Sequence, residues 1–322
     1  MSAVERARIA VVGAGAIGGW IVGKLALAGE PVSVLARGAT LDALRSEGLR
    51  LTQSDATEAV AVEASDDPAE LGPQDVLVIA VKAPALAAAA EAARVMIGPA
   101  TQIVPMLNGV PWWFTAEPLA SVDPGGRIAA ALPQAQIIGC VVHAACSRTE
   151  PNQVVVNYAD RLILGEPAGG GSDRIRELAA RFERAGIRVE ASDDVRRAIW
   201  YKLWGNATLN PLSALTRSSA ERLLGEPALR AWMLEGMAEL AAIGAAIGCP
   251  IGDSGEDRMA VTAKLGAFKT SMLQDVEAGR AIELEALLGA PLEIAARCGV
   301  PTPQLNRLYA ETRLMAESLG LL

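Results

Sequence analysis

The sequence predicts an α/β domain built on a parallel sheet, followed by an all-α domain. Two observations carry this. From Arg8 to Ala191, short β-like runs alternate with helical stretches, the pattern of strands joined by crossovers in a parallel sheet. From Ser192 onward the pattern turns nearly all helical. A chain of 322 residues is long for one core and comfortable for two, and the expected domains are 1–192 and 193–322.

The elements follow in order. Arg8–Val12 reads as a buried strand, Ala16–Ala28 as a helix, and Val32–Ala36, Asp75–Val81 and Gln102–Met106 as further strands. Ile137–Ala144, Gln153–Tyr158 and Arg161–Leu164 come close together with short turns, which suggests an antiparallel extension. Ser172–Ala185 is a helix leading to a last strand, Arg188–Ala191. Ser192 or Asp193 can cap the helix that begins near Val195. Pro227, Pro250 and Pro301 punctuate the helical half.

Composition excludes several functions. A net charge of −8 argues against nucleic acid, because phosphate binding needs concentrated Lys and Arg. His143 is the only histidine, and Cys140, Cys146, Cys249 and Cys298 show no paired spacing, so neither a metal site nor a histidine-based triad is expected. The thiols read as small buried hydrophobes of a reducing, cytoplasmic compartment. Arg6 and Arg8 precede the apolar run 9–23, but its five glycines suit a strand–turn–helix better than an export signal. Prolines interrupt the uncharged stretches 95–116 and 128–147, so no membrane helix is expected.

Gly13-Ala14-Gly15-Ala16-Ile17-Gly18 follows a strand and opens a helix, the context a dinucleotide-binding glycine motif requires. The first glycine permits the tight turn, the second lets backbone approach a pyrophosphate, and the third lets helix and strand pack closely. The fold class is therefore a Rossmann-type dinucleotide-binding domain with an all-α C-terminal domain. Arg37, not an acid, ends the second strand, which favours a 2′-phosphate and hence NADP(H); the plain alternative is an exposed loop arginine. Lys82 and Asn108-Gly109 follow later strands, at the carboxyl edge where ligands bind; the plain alternatives are a solvated lysine at a loop start and Asn-Gly as turn chemistry. Lys202, Asn206 and Asn210 are spaced four apart on one helix and share a polar stripe. Trp200 and Trp204 read as core, and His143 as structural.

With these residues assembled, the chain resembles the ketopantoate reductase family nearly end to end. The carrying segments are Gly13–Gly18, Lys82, Asn108-Gly109, Gly139–Ala145, Lys202-x3-Asn206-x3-Asn210-Pro211-Leu212, Ser271-Met272-Leu273-Gln274-Asp275 and Glu283. The resemblance implies reduction of a small 2-oxo acid by NADPH, in a cleft between the domains, with Lys202 as general acid. It implies that Asn108 and Lys82 lie near the nicotinamide end, that Ala145 meets the cofactor through its backbone, and that Glu283 binds the nicotinamide ribose. Asn108, Lys202, Asn206, Asn210 and Ser271 would hold the substrate. A homodimer is admitted.

Some positions depart from the family pattern. Ala220 and Phe268 stand where substrate-side asparagines are expected, and Ala281-Ile282 replaces more polar residues. Pro111-Trp112-Trp113-Phe114 follows the Asn-Gly like a paralogue's feature. These departures leave cofactor and chemistry untouched and fall on the substrate side. If Phe268 shares a continuous helix with Ser271, it touches the substrate's tail and favours an apolar one. Alternatively, Val261, Leu265, Phe268, Met272 and Val276 form a core stripe. Two rival readings are a β-hydroxyacid dehydrogenase or imine-reducing relative, and a noncatalytic NADPH-sensing protein.

Overall fold

The computed structural model describes residues 7–322; Arg6 lies outside them. The chain divides into two compact units, residues 1–107 with 127–195, and residues 108–126 with 196–322. The segment 108–126 is grouped with the helical unit.

The first unit holds β1 (Ile9–Val12), α1 (Ala16–Leu27), β2 (Val32–Leu35), α2 (Gly38–Glu47), β3 (Leu49–Gln53), β4 (Ala56–Val60), β5 (Glu63–Ser65), α3 (Pro68–Leu71), β6 (Gln74–Ile79), α4 (Ala83–Ala93) and β7 (Ile97–Pro105). It resumes with α5 (Arg127–Ala131), β8 (Gly139–Glu150), β9 (Gln153–Gly165), α6 (Asp173–Arg184) and β10 (Val189–Ser192). One sheet has the order β5-β2-β1-β6-β7 and is parallel throughout. The buried runs of Val, Ile and Leu in β1, β2 and β6 are what a strand covered on both faces requires.

The antiparallel pair β8–β9 does not extend this sheet. It belongs to a second one, ordered β10-β9-β3-β4 with β8 on β9. Gln153–Tyr158 and Arg161–Leu164 are two parts of the single strand β9, which pairs with β3 early and with β10 late. Helix α1 packs against both sheets. A Cβ at Gly19 would press on Val154 at 2.6 Å, and one at Gly23 on Leu49 and Leu51 at 3.1 Å. The small residues of α1 thus serve its approach to the second sheet.

The second unit is helical: α7 (Val195–Thr216), α8 (Ala220–Gly225), α9 (Pro227–Ala246), α10 (Gly255–Ala263), α11 (Ser271–Glu277), α12 (Ala290–Cys298) and α13 (Pro303–Leu319), with a π-helical turn at Glu285–Gly289. The Ser192 hydroxyl, not Asp193, meets the chain before α7, accepting the Asp194 N–H at 3.1 Å. Trp200 and Trp204 are fully buried, and their indoles donate to the carbonyls of Leu240 at 3.1 Å and Met237 at 2.8 Å. No helix among the described residues is long and apolar enough to cross a membrane.

Three expectations are corrected. Cys140 and Cys249 are buried, but Cys146 is half-buried and Cys298 exposed. No continuous helix joins Phe268 to Ser271: α10 ends at Ala263, Gly266 takes a φ of +70°, and Thr270 caps α11 by accepting the Leu273 N–H. Nor is there one core stripe, since Val261 and Leu265 are exposed.

Candidate active site

The glycine motif lies at the carboxyl edge of the parallel sheet. Gly13 has a φ of +96°, where only glycine is at ease, and a Cβ there would press on Val81 at 2.7 Å. A Cβ at Gly18 would overlap the Gly13 carbonyl oxygen. Gly15 begins α1 without a side-chain cap, which leaves its first N–H groups for a ligand's phosphates. Ala14 is buried, while Ala16 and Ile17 are half-buried. These residues fit a dinucleotide: the backbone is bare where a pyrophosphate approaches.

The neighbouring strands bring their own cations to the same edge. β1 pairs with β2 on one side and β6 on the other. Arg37, just after β2, is exposed and starts α2; Lys82, just after β6, starts α4. Arg148, which sequence reasoning misses, donates to Thr40 Oγ1 at 3.0 Å in the first turn of α2. Nothing in its sequence context marks it, because its partner is 108 residues away. Ala145 lies on β8 of the second sheet.

The second unit gathers a polar cluster from distant segments. Lys202 Nζ donates to Asn108 Oδ1 at 3.1 Å, and Asn108 Nδ2 donates to Glu283 Oε2 at 3.3 Å. Asn108 is held by its own loop. Gly109 has a φ of +78° and lies so close to Ala286 that a Cβ would overlap that residue's carbonyl. The same carbonyl accepts the Val110 N–H at 2.8 Å. The π-helical turn at 285–289 therefore docks the Asn-Gly loop, and Tyr309 anchors that turn by donating to Glu285 at 2.7 Å. Such bulges are frequent at functional sites.

Beyond Asn108 the loop is pinned by aromatics. Trp112, Trp113 and Phe114 are buried, and Phe114 stacks on Trp200 with centroids 5.9 Å apart. Farther along, Glu293 on α12 accepts the N–H groups of Ala120 at 3.1 Å and Ser121 at 2.9 Å. Burial would raise the Glu293 carboxyl, but these hydrogen bonds and those from the Ser121 hydroxyl and Arg297 outweigh it and hold it below its ordinary pKa.

Asn206 and Asn210 share the stripe of Lys202 on α7, and neither amide makes a side-chain hydrogen bond among the described residues. Asn210 is 5% exposed, and its amide is not among the buried groups left without a partner. Glu283 is 9% exposed. Ser271 stands exposed at the first position of α11. Asp275, in the same segment, is structural and accepts from Arg280 Nε at 2.9 Å. The arrangement offers an ammonium, an ordered amide and two further amides, enough to polarise a carbonyl and bind its substituents.

Family models for "Ketopantoate reductase PanE/ApbA" match residues 9–169, and those for the C-terminal domain of the same family match residues 194–316. The 2-dehydropantoate 2-reductase of Mesorhizobium japonicum is 38% identical over 97% of this chain and 99% of its own. A candidate ketopantoate reductase from Ralstonia solanacearum MolK2, 50% identical, superposes with a TM-score of 0.96 over 99% of this chain and 100% of its own. The 2-dehydropantoate 2-reductase from Geobacter metallireducens is 30% identical, with a TM-score of 0.86 over 96% and 99%. With both halves matched by one family's models and relatives alike along their whole length, the chain belongs to the ketopantoate reductase family of oxidoreductases.

Proposed function

We propose that this protein reduces the ketone of a small 2-oxo acid to the 2-hydroxy acid with NADPH. The observation that carries the reading is the hydrogen-bonded array Lys202–Asn108–Glu283, assembled from three segments far apart in sequence. The cofactor, when bound, supplies the hydride. Negative charge then develops on the substrate oxygen, where the Lys202 ammonium stabilises it and gives up a proton from Nζ. Asn108 orients that ammonium by accepting one of its hydrogens. Asn206, Asn210 and Ser271 offer hydrogen bonds to the substrate's polar groups and so fix the face that reacts. Gly13–Gly18 would cradle the pyrophosphate, Arg37 and Arg148 the 2′-phosphate, and Lys82, Ala145 and Glu283 would contact the rest of the cofactor. NADPH over NADH is supported by two guanidinium groups at the start of α2.

The substrate's tail is proposed to be apolar. Although Phe268 and Ser271 share no helix, Phe268 and Ala220 are neighbours: the Ala220 N–H donates to the Phe268 carbonyl at 3.0 Å. The two positions where the family pattern leads one to expect amides thus meet through the backbone; Ala220 is fully buried and Phe268 half-buried, so Phe268 is the one with an apolar side chain to offer. A substrate hydroxyl buried against that ring would lack a partner, at about 1–3 kcal/mol. A panel of 2-oxo acids, read by loss of NADPH absorbance, tests the reading. Turnover of 2-oxo acids is expected, with kcat/KM higher for apolar chains than for ketopantoate, and Phe268→Asn should narrow that gap. No turnover of any 2-oxo acid would refute the function. A clear preference for ketopantoate would refute the tail assignment alone.

A further inference from the structure

We propose that Arg258 binds a carboxylate of the substrate. The inference rests on the 2-oxo acid reading above and names the residue that receives the acid group. Arg258 extends from α10 onto α7. Its Nη2, Nε and Cζ lie 3.0, 3.1 and 3.3 Å from where a Cβ would stand on Gly205, and its guanidinium sits 5.7 Å from the Tyr201 ring centroid. Any side chain at position 205 would displace it. Gly205 is three residues after Lys202, so the two positions are neighbours on the helix surface and the guanidinium lies over the turn that carries Lys202.

This guanidinium makes no hydrogen bond or ion pair among the described residues, and its Nε is shut away from solvent without a partner. Leaving a buried donor of a charged group unsatisfied is costly. The acids around it are engaged elsewhere: Asp253 accepts from the Tyr201 hydroxyl at 2.6 Å, Asp257 from the Ser254 hydroxyl at 2.6 Å, and Glu256 pairs with Arg230. Arg258 is thus a fork of donors, stacked on an aromatic ring and left open beside the proposed proton donor. A planar guanidinium matches a carboxylate through two parallel hydrogen bonds. Arg196 also has a buried, unpartnered Nε, but it packs over Phe114 at 5.0 Å and lies six residues before Lys202, about 120° around the helix.

The test compares wild type, Arg258→Gln and Arg258→Lys on a 2-oxo monoacid, a 2-oxo diacid and the neutral amide of the monoacid. An anchor gripping ground and transition states alike acts on KM and spares kcat. Arg258→Gln should raise KM for the acids about 10- to 100-fold, the worth of hydrogen bonds to a charged group, and leave the amide unchanged. Arg258→Lys should recover part of the loss. An equal rise for both acids assigns Arg258 to the carboxyl beside the ketone; a rise for the diacid alone assigns it to a distal one. Equal effects on acid and amide, or no effect on either, would overturn the proposal while wild-type turnover left the reductase reading standing. If wild type turned over neither, calorimetric binding of a 2-hydroxy acid would decide: weaker binding to Arg258→Gln supports the carboxylate site, and equal binding overturns it. Thermal melting of each variant checks the fold; if Arg258→Gln does not fold, Arg258→Lys must show a smaller loss confined to the acids, or the proposal fails.

Discussion

Arg37 and Arg148 approach the start of α2 from different strands, and their joint position bears on cofactor choice. A 2′-phosphate there would meet two guanidinium groups. Arg37→Ala is expected to weaken NADPH binding by about 1.5–3 kcal/mol and spare NADH, and Arg148→Ala should act in the same direction. Fluorescence titration of both cofactors reads this directly; equal weakening of the two would show that neither arginine reads the phosphate. Asn210 makes a different point. Its sequence signal is only a spacing of four from Asn206, yet the structure adds that the residue is 5% exposed, which sets it apart from a solvated helix face. Cys146 is the converse case: burial pushes its thiol up to about 12, which favours the protonated form.

The segment 108–126 shows how elements hold a residue in place. Gly109 admits the close contact with Ala286, the aromatics after it sink among the helices, and Glu293 clamps Ala120 and Ser121. Because the Glu293 carboxyl is held below its ordinary value near 4.5, its contribution to stability is present above that pH. That contribution is lost as pH falls through the lowered folded-state value. Glu293→Gln should therefore be destabilised relative to wild type at pH 7, by about 1–3 kcal/mol. The gap should close in acid. Urea melts at pH 7 and pH 3 check this; a gap of equal size at both would show that the ionised carboxylate is not the clamp. The break between α10 and α11 has an equally local cause. Thr270 offers an N-cap and Gly266 a left-handed turn, signals that compete with the apolar spacing that suggests one continuous helix.

For the whole molecule, the legible parts are those whose signals are local. The glycine motif between a strand and a helix, the alternation of β1, β2, β6 and β7 with helices, and the polar stripe on α7 can all be read from neighbours in sequence. The second sheet cannot. Its strands β3 and β4 join through Ser54 and Asp55, both at positive φ, without the Asn-Gly pair that announces such a turn. Its other strands arrive about a hundred residues later, so no short-range pattern pairs them with β3. The allegiance of residues 108–126 is hidden for a related reason: Trp112, Trp113 and Phe114 read as core, and sequence does not say whose. Arg258 carries no local signal either, because what marks it is the absence of a partner. The glycine cradle lies in the first unit, and Lys202 with Asn108 and Glu283 in the second. The central claim is that Lys202 gives the proton. The most direct test is kcat for NADPH-dependent 2-oxo acid reduction by Lys202→Ala, with NADPH affinity measured on the same protein. The account predicts a fall of about 10²–10⁴-fold in kcat at nearly unchanged NADPH affinity. Near-normal turnover would contradict it.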